Sequence, residues 1–152
     1  MEITRPPYSY LDDPEVPTFD APRHLAVMDA QCALCARGAR WIARHDRREE
    51  FRILPIQTPL GNALLRHYDM DPDDPNSWLY LTEGRAYSSL DATIRVAQHF
   101  GGLWRALSVL RLLPRPVQDW LYARVARNRY RLLGRTDMCT LPDPALRKRL
   151  MS

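Results

Sequence analysis

The sequence has no hydrophobic run that approaches the roughly 20 residues a helix needs to cross a bilayer, so we expect no membrane span. Its first twenty residues place Glu2, Asp12, Asp13 and Glu15 among four prolines and contain no apolar core segment. A secretory signal peptide needs such a core, so none is expected there. Together these absences favour a cytoplasmic protein.

Cysteine and lysine are both scarce. The chain holds three cysteines, and an odd number without an export signal argues against a framework of structural disulfides. Lysine occurs once, because 21 of the 22 basic residues are arginine. The net charge of +4 is spread along the chain and is weak evidence for nucleic-acid binding, so we expect no nucleic-acid partner. Glycine-rich phosphate-binding patterns, internal repeats and low-complexity segments are absent as well.

The length of 152 residues allows one domain with one core, and a hydrophobic content of 45% suits a globular chain. Residues 1–21 are dense in proline, which removes hydrogen-bond donors and forbids a continuous helix, so we expect an irregular arm. The domain is predicted to cover residues 22–142, including a helical extension at 103–134. A basic tail follows at residues 143–152.

The most informative stretch runs from Asp29 to Cys35, where Cys32 and Cys35 stand three residues apart. Residues 24–28 before it form an apolar segment of strand length, and residues 36–46 after it repeat apolar residues at helical spacing. Cys32 is therefore predicted at the N-terminus of a helix. The helix dipole and unpaired backbone N–H groups there stabilise a thiolate, which is the reactive form of cysteine.

The rest of the chain alternates strand and helix patterns. Residues 51–56 are predicted as a strand in which Pro55 marks an edge or an end, and Thr58-Pro59 as a helix start. Further predictions are a hairpin over 77–88 and helices over 90–100, 103–113, 117–133 and 144–150. This order predicts an α/β fold of thioredoxin-like type: a three-layer mixed sheet with helices, an antiparallel hairpin edge and a C-terminal α-helical extension.

Several spaced motifs resemble the DCC family of predicted thiol-disulfide oxidoreductases. The Asp-x-x-Cys-x-x-Cys pattern that names the family is matched by Asp29, Cys32 and Cys35. Other matches lie at residues 51–57, 89–92, 112–114, 125–130 and 139–142. The resemblance covers roughly residues 24–142 and implies a thioredoxin-like fold and thiol chemistry.

Two positions differ from the patterns of similar proteins. Family members resembling this chain commonly carry glycine where this chain has Ala30, so the backbone at Ala30 is predicted to avoid positive φ. Thioredoxin has a cis-proline that faces its cysteine pair. Pro75 stands slightly too early before the strand expected from Ser77 to be assigned that place.

The spacing of Cys32 and Cys35 suits dithiol exchange. A thiolate at the helix terminus attacks a disulfide, and a thiol one turn later resolves the mixed disulfide. Cys32 is predicted as the nucleophile and Cys35 as the partially buried resolving thiol. The alternatives are two structural cysteines that pack as small hydrophobic residues, or metal ligands. No organic cofactor is expected, because the dithiol itself carries the electrons.

Asp29 stands three residues before Cys32 and is a further candidate catalytic residue. Its carboxylate could accept the proton of the resolving thiol, or it could cap the start of the helix. Of these two interpretations, helix capping is slightly favoured.

Supporting residues are predicted near the C-terminus. Cys139 is interpreted as a tail cysteine, with a resolving or regulatory thiol as the alternative. A zinc site joining it to the pair and His24 or His45 lacks a second closely spaced pair, so no metal site is expected. The run Arg127, Asn128, Arg129 and Tyr130 could contact phosphates, an acidic substrate or the region of Asp29, although solvated arginines beside a packed tyrosine are the favoured interpretation.

The sequence thus predicts a thiol-disulfide oxidoreductase that acts on a protein or low-molecular-weight thiol or disulfide. The alternative is a non-catalytic interaction module, in which the helical extension binds a partner and the cysteines are structural or hold metal. The direction of the redox reaction and the oligomeric state are left open.

Overall fold

The computed structural model describes residues 3–73 and 78–151, and within them the elements follow the predicted order. The predicted start of the hairpin at Ser77 and the proline at Pro75 lie outside the described residues. The strands and the longer helices are β1 (His24–Met28), α1 (Ala33–His45), β2 (Phe51–Pro55), α2 (Pro59–His67), β3 (Leu79–Thr82), β4 (Arg85–Ser88), α3 (Ser89–Phe100), a 3₁₀ helix (Gly102–Leu112), α4 (Arg115–Leu133) and α5 (Pro144–Arg147).

The four strands form one mixed sheet in the order β2-β1-β3-β4. β1 and β2 run parallel, with His24 opposite Phe51 and Met28 opposite Pro55, whereas β3 pairs antiparallel with both β1 and β4. This confirms the predicted α/β sheet with an antiparallel hairpin at one edge, a thioredoxin-like arrangement. Because β1 and β2 are parallel, the loops after Met28 and after Pro55 leave the sheet side by side.

Both faces of the sheet are covered, which explains why all five residues of β1 are buried. On one face, Ala26 and Met28 of β1 pack in a cluster with α1 and α3. On the other face, Leu25 and Val27 pack with α2 and with part of the N-terminal arm. The alternation of side chains along a strand sends neighbouring residues to opposite layers, so β1 is the centre of a three-layer fold.

The N-terminal arm is irregular, apart from a 3₁₀ turn over Ser9–Leu11, and it is attached to the domain. Tyr10 is buried in the cluster beneath α2. Ser9 Oγ and Asp13 Oδ2 hydrogen-bond the two ring nitrogens of His67 at 2.8 and 2.6 Å. The arm thus contributes apolar and polar contacts to one layer of the fold, while the boundary predicted at residue 21 stays a prediction.

The C-terminal residues also pack on the domain. Arg149 lies buried and donates from Nε to Asp46 Oδ2 at 2.9 Å, which joins the chain end to the turn after α1. The backbone of Ile53 donates to Arg149 O and accepts from Met151 N, both at 2.8 Å. The chain end therefore covers part of the outer edge of β2, the edge strand that ends at Pro55 as the sequence predicted.

The segment predicted as an apolar helix over 103–113 is a 3₁₀ helix. Its apolar residues Trp104, Leu107 and Leu110 recur every third position, and this spacing aligns on one face of a 3₁₀ helix, which has three residues per turn. Other apolar side chains of the segment, such as Leu103 and Leu112, are exposed. In the described part of the chain, no helix has the length and apolar character needed to cross a membrane.

Two helical glycines are expected to respond in opposite ways to alanine substitution. A Cβ at Gly38 in α1 would meet no atom within 4 Å, whereas one at Gly61 in α2 would overlap the Pro55 carbonyl oxygen. Gly38→Ala should therefore stabilise the fold by up to about 1 kcal/mol through helix propensity. Gly61→Ala should destabilise it by about 1–3 kcal/mol, since backbone must move.

Urea denaturation of both variants measures these changes against the unsubstituted protein. The two substitutions add the same methyl group to a helix, so each serves as the control for the other. Equal changes in the free energy of unfolding would contradict the close packing of α2 against the end of β2.

Candidate functional site: a dithiol at the N-terminus of α1

Cys32 is the N-cap residue of α1, as the sequence predicted. Its backbone is extended (φ −91°, ψ 119°), and its Sγ accepts a hydrogen bond from the Cys35 N–H at 3.5 Å. The turn between β1 and α1 is closed by a hydrogen bond from Cys32 N to Asp29 O at 3.3 Å. Ala30, in the same turn, is not among the described residues with positive φ, which confirms the expectation for a turn built without glycine.

The pKa values of the two thiols are shifted in opposite directions. The pKa of Cys32 is lowered to about 6, chiefly by a hydrogen bond from the Cys35 side chain, with the positive charge of Arg129 contributing and burial opposing. The pKa of Cys35 is raised, first by that same hydrogen bond and then by burial and the neighbouring thiolate charge. Near pH 7 the pair therefore consists of a Cys32 thiolate and a protonated Cys35.

The two cysteines differ in solvent exposure, and the predicted nucleophile is the more buried of the two. Cys35 is partly buried, as predicted, but Cys32 is completely buried at 0% exposure. The C-terminal segment 135–138 lies against the turn, where Arg135 pairs with Cys32 as an isolated bridge. Thr136 N donates to Gln31 O at 3.0 Å, and Met138 N donates to Ala30 O at 2.7 Å. Cys32 therefore presents no exposed surface to a substrate in this arrangement.

Asp29 is buried at 5% exposure and is held from several sides. Its Oδ1 accepts from Gln31 N at 2.9 Å and from Gln57 Nε2 at 2.8 Å, and its Oδ2 accepts from the Tyr130 hydroxyl. The interpretation of Asp29 as the helix cap is wrong, because its side chain bonds the turn and Cys32 itself occupies the cap position. The carboxylate instead joins the cysteine turn to β2 and α4.

Gln57 is a site residue to which the sequence assigned no role. Its Oε1 accepts from Ala30 N at 3.2 Å while its Nε2 donates to Asp29, so one amide spans the turn before Cys32. Gln57 lies two residues after the end of β2, and the carboxyl ends of neighbouring parallel strands meet at one edge of a sheet. A parallel pairing of β1 with β2, in which Met28 lies opposite Pro55, would have predicted that Gln57 lies beside the cysteine turn.

Arg129 and Tyr130 bring α4 to the site. Arg129 is buried at 6% exposure, with Nη2 3.6 Å from Asp29 Oδ2 and 3.3 Å from the Tyr130 hydroxyl. Its guanidinium lies over the Tyr130 ring, 4.8 Å from the centroid, in cation–π geometry. Arg129 and Tyr130 thus make the contact with Asp29 that the sequence offered as the less favoured alternative.

The remaining members of the predicted cluster do not reach the thiols. Arg127 Nε and Asn128 Nδ2 bond the carbonyl oxygens of Ala123 and Arg124 in their own helix, at 3.3 and 2.8 Å. The favoured interpretation of solvated arginines therefore holds for Arg127 and is wrong for Arg129. Helical spacing separates the two residues by about 200°, since each residue advances 100° in a helix of 3.6 residues per turn.

Cys139 lies apart from the pair, exposed in a 3₁₀ turn over Met138–Thr140. It lines an open groove of about 780 Å³ together with Ala30, Gln31 and Gln57, on the side of the turn that precedes Cys32. Burial and the Asp137 carboxylate raise the pKa of Cys139, so it is the thiol form that faces this groove. Its proposed role as a resolving or regulatory thiol stays a prediction.

The structure does not bring His24 or His45 to the cysteines. His24 begins β1 and His45 ends α1, whereas the thiols lie where β1 has ended and α1 begins. Among the described residues, the cluster of potential metal ligands contains no cysteine. The zinc alternative for the dithiol therefore has no support from these histidines.

The inner side of Cys35 borders an apolar cavity of about 540 Å³ between α1, α3, the 3₁₀ helix and α4. Trp41 and Trp104 form part of its wall, with ring centroids 4.7 Å apart in an edge-to-face arrangement. Arg129 also lines it and supplies a charged group. This apolar wall disfavours ionisation of Cys35 and contributes to its raised pKa.

The acidity of Cys32 is expected to depend on the side chain at position 35. In a Cys139→Ser background, the alkylation rate of Cys32 should rise with pH around a midpoint near 6. Cys35→Ala removes the hydrogen-bond donor and should move this midpoint towards the ordinary thiol range of about 8.5. Cys35→Ser retains a donor and should shift it less.

Mass spectrometry of the alkylated Cys32 peptide over a pH series gives the midpoint for each variant. At pH values below the midpoint, each unit by which the pKa of Cys32 rises lowers the thiolate fraction, and hence the alkylation rate, about tenfold. The same midpoint in Cys35→Ala as in the parent protein would contradict a hydrogen bond from Cys35 as the main cause.

Comparison with known proteins agrees with this site. The sequence profile of the family described as DCC1-like thiol-disulfide oxidoreductase matches residues 26–135. The chain is 29% identical over 130 residues to the uncharacterized protein YuxK of Bacillus subtilis (strain 168). The aligned region covers 86% of this chain and 95% of the relative. It is 32% identical over 120 residues to a DCC family protein of Arabidopsis thaliana described as chloroplastic, covering 78% of this chain and 70% of the relative. No solved structure shows a significant match.

Proposed function

The chain belongs to the DCC1-like thiol-disulfide oxidoreductase family, and from this we propose that it exchanges disulfides with a protein or small-thiol substrate through Cys32 and Cys35. The observation that carries the proposal is the opposite shift of the two thiol pKa values at the N-terminus of α1. A thiolate with a pKa just below ambient pH combines a high ionised fraction with good nucleophilicity. Two buried cysteines that served only for packing would need no such difference.

In the proposed exchange, the Cys32 thiolate attacks one sulfur of the substrate disulfide. The substrate S–S bond breaks, a mixed disulfide forms at Cys32, and the second substrate sulfur leaves as a thiolate. Cys35 then attacks the Cys32 sulfur, its proton passing to a departing substrate thiolate. The protein ends with a Cys32–Cys35 disulfide and the substrate with one thiol and one thiolate, which takes a proton from solvent, so two electrons have moved from protein to substrate. The reverse sequence oxidises a substrate dithiol.

The surrounding residues are proposed to hold this chemistry in position. Asp29 already accepts bonds from Gln31, Gln57 and Tyr130, which suits a positioning residue better than a free base. Arg129 places a positive charge beside the thiolate in a setting where little water screens it. We place the reaction in the cytoplasm, where an odd set of unpaired cysteines stays reduced between turnovers.

The Cys139→Ser protein, equilibrated in buffers of defined thiol–disulfide ratio, tests the proposal. A single two-electron transition between the Cys32–Cys35 dithiol and disulfide is expected, together with faster reduction of a model protein disulfide. If no intramolecular disulfide forms, or if the protein does not accelerate the exchange, the proposal is wrong.

A second candidate function, a non-catalytic interaction module, draws on the exposed apolar residues of the helical extension. Leu103, Leu112 and Leu132 are each at least 70% exposed, and Trp120 is 57% exposed. Surfaces of this kind mark binding sites when the residues are contiguous. Under this alternative, Cys32 alkylates with an ordinary thiol midpoint and its substitution leaves partner binding unchanged.

A further inference from the structure

Three side chains of the types that bind metals meet at the end of the sheet opposite the dithiol. His24 begins β1, Glu50 immediately precedes β2, and His99 lies in the last turn of α3. One ligand atom from each residue lies within 4.8 Å of the other two. The parallel start of β1 and β2, where His24 N donates to Glu50 O at 3.3 Å, holds two of the three together.

His24 supplies a buried nitrogen without a partner. Its Nδ1 lies 2.9 Å from the Tyr80 hydroxyl and 3.0 Å from Thr82 Oγ1, which orients the ring. Its Nε2 is buried and has no hydrogen-bond partner among the described residues. Leaving a buried polar atom unsatisfied lowers stability, and a bound metal ion would satisfy this one.

The other two ligands face the same point from a partly accessible side. Arg23 Nη1 occupies Glu50 Oε1 at 2.9 Å, while Oε2 is directed towards His99 Nε2 at 3.6 Å. The side chains of His99 and Glu50 are 31% and 16% exposed. Two of the three candidate ligands are therefore accessible from solvent.

We propose that His24 Nε2, His99 Nε2 and Glu50 Oε2 bind a divalent transition-metal cation, with zinc as the best-suited ion. Two imidazoles and one carboxylate form a known zinc ligand set, and zinc accepts a water as fourth ligand. The hydrogen bonds at His24 Nδ1 match the outer contacts that orient metal-bound histidines. Zinc bonds of about 2.0–2.2 Å require the ligand atoms to close by about 1 Å, which the partly exposed His99 and Glu50 side chains allow.

The site is separate from the thiol chemistry. His24 and Met28 are the two ends of β1, about 13 Å apart at 3.3 Å per residue, and Cys32 lies beyond Met28. A metal at this position ties the start of β1, the approach to β2 and the end of α3 to one centre. Its expected contribution is to the stability of the sheet end rather than to disulfide exchange.

The test uses full-length protein with Cys32, Cys35 and Cys139 replaced by serine, so that no thiol binds metal. Zinc titration against a chromophoric chelator is expected to give one bound equivalent and a melting temperature that rises with zinc concentration. Cobalt(II) is expected to give the visible absorption of a four-coordinate nitrogen–oxygen site. His99→Ala and Glu50→Gln should each lower the affinity by more than the roughly 10–100-fold that loss of an outer contact costs.

Matched controls come from the same regions of the chain. His45→Ala removes an exposed histidine at the end of α1, and Glu49→Gln removes the neighbouring carboxylate. Both should bind zinc like the parent protein, and all four variants should melt like the parent in a chelator. The proposal is overturned if the parent protein binds no equivalent of zinc. It is also overturned if His99→Ala and Glu50→Gln both bind zinc with the affinity of the parent. If one ligand variant fails to fold, the other decides alone.

Discussion

Cys32→Ser protein is expected to lose disulfide exchange down to the background rate, whereas Cys35→Ser protein should stop after the first step as a mixed disulfide on Cys32. The serine hydroxyl does not ionise near pH 7, so position 32 loses its nucleophile, while the hydroxyl oxygen replaces the sulfur as the N-cap acceptor. Without Cys35, no second thiol at the helix terminus releases the bound substrate. Mass spectrometry of the trapped species identifies both the sulfur and the substrate.

The trapping experiment also decides between the two thiols as attackers. Acidity favours Cys32, because its pKa is lowered to about 6, whereas exposure favours Cys35, because Cys32 is fully buried and Cys35 only partly. A mixed disulfide on Cys35 in the Cys32→Ser protein would reverse the proposed order. The Cys139→Ser substitution, present in every variant, removes trapping by the exposed third cysteine.

Arg129→Met is expected to destabilise the fold by about 3 kcal/mol and to raise the pKa of Cys32. Removing one partner of a buried ion pair leaves the other charge uncompensated, which costs about 3–5 kcal/mol, and the 3.6 Å separation from Asp29 favours the lower end. The same guanidinium lowers the pKa of Cys32, so the alkylation midpoint should move up with its loss. Urea denaturation and the pH series of Cys32 alkylation measure the two effects.

Arg127→Met is the matched control, because Arg127 lies on the same helix with an exposed side chain. Its change in the free energy of unfolding should stay within about 0.5 kcal/mol, with no shift of the Cys32 midpoint. The double variant Asp29→Asn/Arg129→Met removes both charges and should recover part of the lost stability. Strictly additive effects of the two substitutions would show that Asp29 and Arg129 do not interact.

The local part of the site follows from residues close together in sequence. An apolar segment of strand length, two cysteines three residues apart and a helical repeat predict that Cys32 begins a helix, and Cys32 is the N-cap of α1. Helix starts and hairpin turns depend on a few adjacent residues, so Thr58 before α2 and the turn after Thr82 were predictable in the same way. The α/β order predicted the layers because amphipathic elements of these lengths pack in few ways.

The acidity and access of the dithiol depend on residues that are far apart in sequence. Arg129 and Tyr130 reach Asp29 only because α4 folds back onto α1, and Gln57 reaches it because β1 and β2 pair in parallel. The helical pattern of α4 did not distinguish buried Arg129 from exposed Arg127, since both stand in an arginine-rich run.

The sequence by itself therefore determined the thiol pair, its place at a helix N-terminus and the family to which it belongs. Only the tertiary structure decided which arginine acts on the thiolate, that residues 135–138 pair with the cysteine turn, and that His24, Glu50 and His99 meet at the far end of the sheet. The physical reason is the distance along the chain over which each kind of interaction acts. Helix caps and side-chain periodicity act within a few residues, whereas charge, burial and ligand geometry depend on distances in space that chain packing sets.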